Sequence, residues 1–384
     1  MHILVTLTYY RPHYSGLTIY AELMSRSLVQ RGHQVTVLTS RYDSNLPQRE
    51  IRDGVEVIRP EVWFNISKGV IMPSMPVWAW KLIQGADIVQ LHVPQFDAAP
   101  IALLSRFRSK PVVLTYHCDL KLPRGFVHRI ANTVSNLANH ITARSADVIV
   151  QNTRDYADHS PFLQRYRDKV VPIYPPIEQI HYEQDDVKRF RSKFNLEADT
   201  RYIGIAARLA SEKGVEYLAR AMPEVLEKFP NTCVLFVGPH ENVVGESEYE
   251  RKIAPLIESL NNHWKFLGIL TPVEKQVFFD LCEVTVLPSI NSTESYGMVQ
   301  VESIACGTPV ISTDLPGVRV PVEVTGMGRI VPPEDSRKLA QALIDVLDGK
   351  LENDLRPESI VHLSSPDRVA QEYERIYNDL LERR

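Results

Sequence analysis

Residues 1–40 read MHILVTLTYY RPHYSGLTIY AELMSRSLVQ RGHQVTVLTS. The apolar run from Ile3 to Leu7 is too short for a signal h-region and reads as a first buried strand. A helical pattern follows from Thr18 to Arg31, and Gly32 stands where a left-handed C-cap would end that helix. Val35 to Leu38 is then a second, β-branched run. This is a strand, helix, strand unit, and the rest of the first half repeats its alternation at Val55 to Ile58, Ile88 to Leu91, Val112 to Tyr116 and Val148 to Val150. Such alternation predicts a parallel, doubly wound α/β sheet.

Beyond the strand-like pair Val170-Val171 lies the proline-rich segment Pro172 to Glu178, which suits a hinge better than the interior of an element. The alternation then restarts, with strands expected at Tyr202 to Ala206, Cys233 to Val237, Lys265 to Leu267, Val284 to Leu287, Val310 to Ser312 and Gly328 to Val331. The organisation expected is an N-terminal Rossmann-like domain over 1–171, a hinge over 172–182 and a second Rossmann-like domain over 183–365. The last stretch, 366–384, has helical spacing, with Val369, Tyr373, Ile376, Tyr377 and Leu380 as an apolar stripe that must pack against something. There are no internal repeats and no low-complexity tract.

The chain of 384 residues has room for two such domains, and its net charge of -4 recommends neither a nucleic-acid partner nor a strongly basic anchor. Four dispersed cysteines, Cys118, Cys233, Cys282 and Cys306, argue against a disulfide framework or a zinc site. No apolar run is long enough to cross a bilayer, so a cytoplasmic location is expected. The N-x-S/T triplets at Asn65 and Asn291 then carry no glycosylation.

Four segments carry chemistry. In residues 294–310, ESYGMVQVESIACGTPV, Glu294 falls in a loop after a strand and Glu302 two turns into the next helix, with the amides of the helix start between them. Sugar hydroxyls, a diphosphate and a ribose would each find a partner there. The bland alternative makes Glu294 a helix-start acid and Glu302 a solvated residue. In Ala206 to Gly214, Arg208 and Lys213 leave one strand-to-helix loop, where a guanidinium and an ammonium together neutralise a diphosphate; the alternatives are a salt-bridged Arg208 and a solvated Lys213. Gly16 stands in the loop that opens the first helix, where an anion can approach backbone amides. His117, in Thr115-Tyr116-His117-Cys118-Asp119, ends a strand and so faces the ligand crevice of an open α/β sheet.

The first of these strings resembles the E-x7-E signature of family 4 glycosyltransferases, including the trailing Ala305-Cys306-Gly307-Thr308-Pro309-Val310. The segment from Arg208 to Gly214 is similar to the family's diphosphate-holding R-x4-K-G, and Thr115 to Asp119 to its T-x-H-x-D. Where the family favours a glycine pair in the first loop, Gly16 matches the second member and Ser15 replaces the first; Ser295 is a further departure, at a position where glycine or proline is common. The resemblance implies a GT-B fold, with two Rossmann-like domains facing across a cleft. It further implies retaining hexosyl transfer from a nucleotide-diphosphate sugar, UDP-glucose-like or GDP-mannose, to a glycolipid, a lipid-linked saccharide or a small acceptor. By the same resemblance His117 and Glu294 are the catalytic residues, with Asp119 a weaker candidate. Gly16, Arg208, Lys213, Gly297, Met298 and Val299 bind the donor diphosphate, and Glu302 binds the nucleotide ribose. No aspartate-x-aspartate metal motif occurs, so no metal cofactor is expected.

The aromatic stretch Trp63 to Trp80 reads as irregular: an acceptor platform, a shallow membrane contact on the inner face of a membrane, or core packing under a loop. Arg124, His128 and Arg129 would add a basic patch beside it or simply solvate a helix. Within the same fold a sugar-nucleotide epimerase or a glycan phosphorylase is the enzymatic alternative, and a catalytically silent sugar-nucleotide sensor is the alternative outside catalysis. Hydride transfer is disfavoured because the first loop lacks G-x-G-x-x-G.

Overall fold

The computed structural model describes residues 1–66, 69–119, 126–351 and 356–384, without the side chains of 65–66 and 126–134. Arg124, Ser67 and Lys68, and the side chains of His128 and Arg129, lie outside the described residues. The chain divides into two compact units, Met1–Pro176 together with Ser364–Arg384, and Ile177–Leu363.

The first unit begins β1 (His2–Thr6), α1 (Gly16–Gln30), β2 (Gln34–Leu38), β3 (Arg49–Arg52), β4 (Val55–Ile58), β5 (Phe64–Ile66), β6 (Gly69–Ile71) and α2 (Met75–Gly85). It continues β7 (Ile88–Val93), α3 (Ala98–Phe107), β8 (Val112–Tyr116), α4 (Phe126–Ser145), β9 (Val148–Gln151), α5 (Arg154–His159) and β10 (Val170–Pro172). Eight strands form one sheet in the order β10-β9-β8-β7-β1-β2-β4-β3, parallel except for β3. Both faces are buried, which is why its strands read as continuous apolar runs. Ile3 and Val5 face α1, whereas Leu4 faces the side covered by α2 and α3.

Two features depart from the sequence expectation. Arg49–Arg52 is an antiparallel edge strand with mostly exposed side chains, so it lacks the apolar run by which the others are legible. The aromatic stretch, read as irregular, contains the β5–β6 hairpin and most of α2, whose first turn carries Pro76. Met72, Met75 and Ala79 belong to the core, whereas Trp63 and Phe64 are exposed.

The second unit contains α6 (Gln184–Phe194), β11 (Arg201–Ala206), α7 (Val215–Lys228), β12 (Thr232–Val237), α8 (Ser247–Glu258), β13 (Trp264–Gly268), α9 (Pro272–Leu281) and β14 (Val284–Leu287). It ends with α10 (Met298–Ala305), β15 (Val310–Thr313), α11 (Val320–Thr325), β16 (Gly328–Val331), α12 (Ser336–Leu347) and α13 (Glu358–Val361). The six strands are all parallel, in the order β13-β12-β11-β14-β15-β16. Ile203, Ile205, Val234 and Phe236 pack against α7 and α12 on one face; Tyr202, Cys233 and Leu235 pack against Phe190 and Phe278 on the other.

The last helix, α14 (Pro366–Glu382), belongs to the first unit. Its apolar stripe meets α1 and the sheet through Val369, Ala370, Tyr373 and Tyr377, all fully buried. Arg31 donates to Glu374 through Nε at 2.9 Å and Nη2 at 2.6 Å, and to Asp367 at 2.8 Å. The Tyr373 hydroxyl lies 2.8 Å from both the Tyr20 and the Thr115 hydroxyl. Emptying that position removes a large ring and takes a hydrogen-bond partner from each of two buried hydroxyls. Tyr373→Ala is therefore expected to destabilise the first unit by ~3–5 kcal/mol and Tyr373→Phe by only ~1–2 kcal/mol, read from urea-unfolding midpoints.

Candidate active site

In the second unit the chain runs from β11 outward to β12 and β13, then returns to β14 on the other side of β11. Such a reversal opens a crevice at the carboxyl ends of the two strands where it occurs. The loops leaving those ends, 207–214 and 288–297, carry the expected donor-site residues.

The two loops are docked on one another. Gly214 has φ +62°, and a Cβ there would sit 2.2 Å from the Pro288 carbonyl oxygen. The position accepts only glycine, on both conformational and steric grounds. Beside it, the Ile290 amide donates to the Glu212 carbonyl at 3.1 Å. The Ser211 amide donates to the buried Glu246 carboxylate at 3.0 Å, which pins the start of the same turn.

That docking brings Lys213 to Glu294, with Nζ 2.6 Å from Oε2 and both side chains about one-fifth exposed or less (21% and 16%). Lys213 is thus not a solvated loop cation. Glu294 lies in the loop before α10, where Asn291 forms the turn ahead of it: the Asn291 side-chain oxygen accepts from the Thr293 amide at 3.0 Å and the Thr293 hydroxyl at 2.5 Å. Arg208 is paired with Glu212, the salt-bridged alternative in the sequence reading, although it sits on the same loop as Lys213.

Gly297 caps α10 in a left-handed conformation, φ 79°, where a Cβ would collide with Leu287 at 2.2 Å. Met298 and Val299 form the first turn, so their amides belong to the set that a helix leaves without internal partners. Because the helix starts at Met298, Glu302 lies just over one turn in, not two. Nor is it solvated: its side chain is 7% exposed and accepts from Lys275 Nζ at 2.6 Å. Lys275 escaped the sequence reading. The Thr271-Pro272-Val273-Glu274 capping box that starts α9 was the available signal for its place on a helix, though not for its partner.

In the first unit the corresponding crevice lies at the ends of β1 and β7, between which the chain reverses. Ser15 caps α1, its hydroxyl accepting from the Thr18 amide at 3.2 Å, so the residue that departs from a glycine pair has a structural task. A Cβ on Gly16 would meet nothing within 4 Å. The loop is anchored by the buried Arg59, just after β4, which donates to the Arg11 carbonyl at 2.8 Å and Glu50 at 2.6 Å. His117 directly follows β8, and burial lowers its pKa to about 3, so it is neutral. Asp119 accepts from Tyr116 and Ser160, both at 2.8 Å, and so braces the local chain.

Among the described residues no three His, Cys, Asp or Glu side chains converge as metal ligands would. None of the described helices is long and apolar enough to cross a membrane.

The family profile "Glycosyl transferases group 1" matches residues 186–360, and "Glycosyl transferase 4-like domain" matches 15–176. O-antigen chain mannosyltransferase C of Escherichia coli is 23% identical over 98% of this chain and 97% of its own length. The D-inositol 3-phosphate glycosyltransferase of Acidothermus cellulolyticus is 26% identical over 90% of this chain and 81% of its own. Among solved structures, Anabaena Alr3699/HepE in complex with UDP and glucose superposes with a TM-score of 0.74 at 18% identity, covering 98% of this chain and 99% of that one. With its two parallel-sheet α/β units, the chain belongs to the group 1, family 4-type glycosyltransferases of the GT-B fold class.

Proposed function

We propose that this glycosyltransferase moves a hexosyl group, with retention of anomeric configuration and without a metal ion, from a nucleoside diphosphate sugar to a hydroxyl of a glycolipid, a lipid-linked saccharide or a small acceptor. The observation that carries the reading is the Lys213–Glu294 pair at 2.6 Å, built by two loops at a sheet crevice. A cation and a carboxylate held there match the two ends of a sugar diphosphate. The diphosphate draws Lys213 and Arg208 from their carboxylate partners, and Glu294 is released to accept hydrogen bonds from sugar hydroxyls.

In the reaction the bond between the anomeric carbon and the β-phosphate oxygen breaks while the acceptor oxygen bonds to that carbon on the same face. The acceptor's proton passes to the departing phosphate oxygen. Charge grows on the diphosphate, and Lys213, Arg208 and the amides of Met298 and Val299 are the groups placed to stabilise it. Glu302 takes the ribose hydroxyls. From the first unit, Gly16 is assigned to the donor phosphates and His117 to the reacting sugar. The mannosyltransferase relative and the neighbour in complex with UDP and glucose make GDP-mannose and UDP-glucose the first donors to try.

A thermal-shift panel of UDP, GDP, ADP and their sugar conjugates, run with and without EDTA, tests the donor. One nucleotide at about 100 times its dissociation constant should stabilise the protein by about 2.7 kcal/mol, equally in EDTA. A flat panel, or a shift abolished by EDTA, would overturn the reading. For the carrying pair, Glu294→Gln and Lys213→Met are each expected to lower kcat/KM by roughly 10²–10³-fold. In the double variant the losses should fall well short of additive, because each substitution alone already dismantles the pair; full additivity would show two independent residues.

A further inference from the structure

Beneath His117 lies a buried polar cluster that the chemistry above does not use. His117 Nε2 is 2.9 Å from Nδ1 of His92, which stands on β7. The two ring planes are inclined by 21° with centroids 5.2 Å apart, and Tyr20 meets the His117 ring edge-on at 5.1 Å. On the far side, His92 Nε2 is 3.1 Å from the amide nitrogen of Gln90. That nitrogen also faces the Thr115 hydroxyl at 3.2 Å and the Met24 sulfur at 3.4 Å. The amide oxygen of Gln90 accepts from the Tyr377 hydroxyl of α14.

These contacts determine where the protons sit. A thioether sulfur accepts and does not donate, so the side of Gln90 turned to Met24 is its NH2, and the oxygen is left for Tyr377. An NH2 donating to His92 Nε2 requires a lone pair there, and a neutral His92 then carries its proton on Nδ1. That N–H donates to His117 Nε2, which must likewise present a lone pair, so a neutral His117 is protonated on Nδ1. Burial keeps both rings uncharged; the pKa of His92 is driven far below its ordinary value by desolvation first and by His117 second.

We infer that His92, oriented by Gln90 and through it by Tyr377, is a positioning residue that fixes His117 as the Nδ1–H tautomer, so that His117 meets a substrate oxygen as a hydrogen-bond donor and never as a proton acceptor. The chemical group it selects is a hydroxyl or phosphoryl oxygen with a free lone pair. The relay begins on the last helix of the chain, which gives α14 a part in setting the active-site ring beyond covering the sheet. The inference rests on the assignment of His117 to the reacting sugar, but the tautomer is a property of the free protein.

The experiment uses the full chain labelled with 15N-histidine and two-bond 1H–15N correlation spectra. His117 is picked out among the 12 histidines by its absence from the His117→Gln spectrum. Wild type should show a single neutral form protonated on Nδ1. His92→Asn puts an amide N–H where the Nδ1–H was and should preserve that form, whereas His92→Phe keeps an aromatic ring in the space, removes the donor and should release a mixture. A purely structural role predicts the reverse order, because asparagine leaves the larger cavity. An Nε2–H or mixed wild type, or indistinguishable Asn and Phe variants, would overturn the inference, and the wild-type spectrum decides even where a variant fails to fold. With whichever of UDP-glucose and GDP-mannose the wild type turns over, His92→Phe should lose about tenfold or more in kcat with donor KM within about threefold, and His92→Asn should retain most of it. An unchanged kcat in His92→Phe would sink the functional half. Absence of turnover in wild type would count against the proposed function and leave the tautomer result standing.

Discussion

Close approach between two loops governs the second unit. Gly214 passes so near the Pro288 carbonyl that no side chain fits between them, and the backbone there is left-handed besides. Everything at the candidate donor site follows from that contact. It sets Lys213 against Glu294, aligns the Glu212 carbonyl with the Ile290 amide, and leaves the turn at Asn291 to deliver the carboxylate. A second glycine constraint at Gly297 fixes where α10 begins, and hence that Glu302 faces Lys275 rather than solvent.

The first unit is organised by a helix from the far end of the sequence. α14 fills the groove beside α1 with fully buried tyrosines, and its polar atoms continue the hydrogen bonding of β7 and β8. Unpaired polar groups at such depth would each cost about 1–3 kcal/mol, so a network of this kind is tolerated only when its members satisfy one another. In the proposed relay, the same requirement that holds the helix in place also sets the proton positions up to His117. Packing and the proposed tautomer of His117 are then two consequences of one set of contacts.

How much of this was legible in the sequence follows from the range of the interactions. The buried strands were plain, because a parallel sheet covered on both faces needs unbroken apolar runs. Arg49–Arg52 was not: an exposed edge strand needs no apolar run, and its pairing with β4 is a tertiary fact. The motif residues Glu294, Arg208 and Lys213 were found as types at spacings; the pairing of Arg208 with Glu212 is local, but that of Lys213 with Glu294 joins loops far apart in sequence. Lys275 was invisible for that reason, since nothing local in α9 points to Glu302. Asn291, passed over as a glycosylation triplet, was readable as a turn-former from its side-chain chemistry alone. Gln90 and His92 sit inside an apolar strand, and polar residues there were themselves the signal, because a buried polar side chain implies a partner.

The paired state of the cations bears on how such a site binds a dianion. Lys213 and Lys275 are each held by a carboxylate in partly buried surroundings, so much of the cost of removing their charges from water has already been met in folding. On the proposed function, a diphosphate entering the crevice would replace one anion by another at Lys213 and expose no new cation to a low dielectric. What it must supply is an interaction better than the one it displaces, and a bridging diphosphate reaching both Lys213 and Arg208 has that advantage over two separate carboxylates. The displaced Glu294 would be left with unsatisfied acceptor capacity for the hydroxyl donors of the proposed hexose. In the proposed reaction, donor binding and sugar recognition would thereby be coupled through the Lys213–Glu294 pair, and a nucleotide lacking the sugar would fill only half of the exchange.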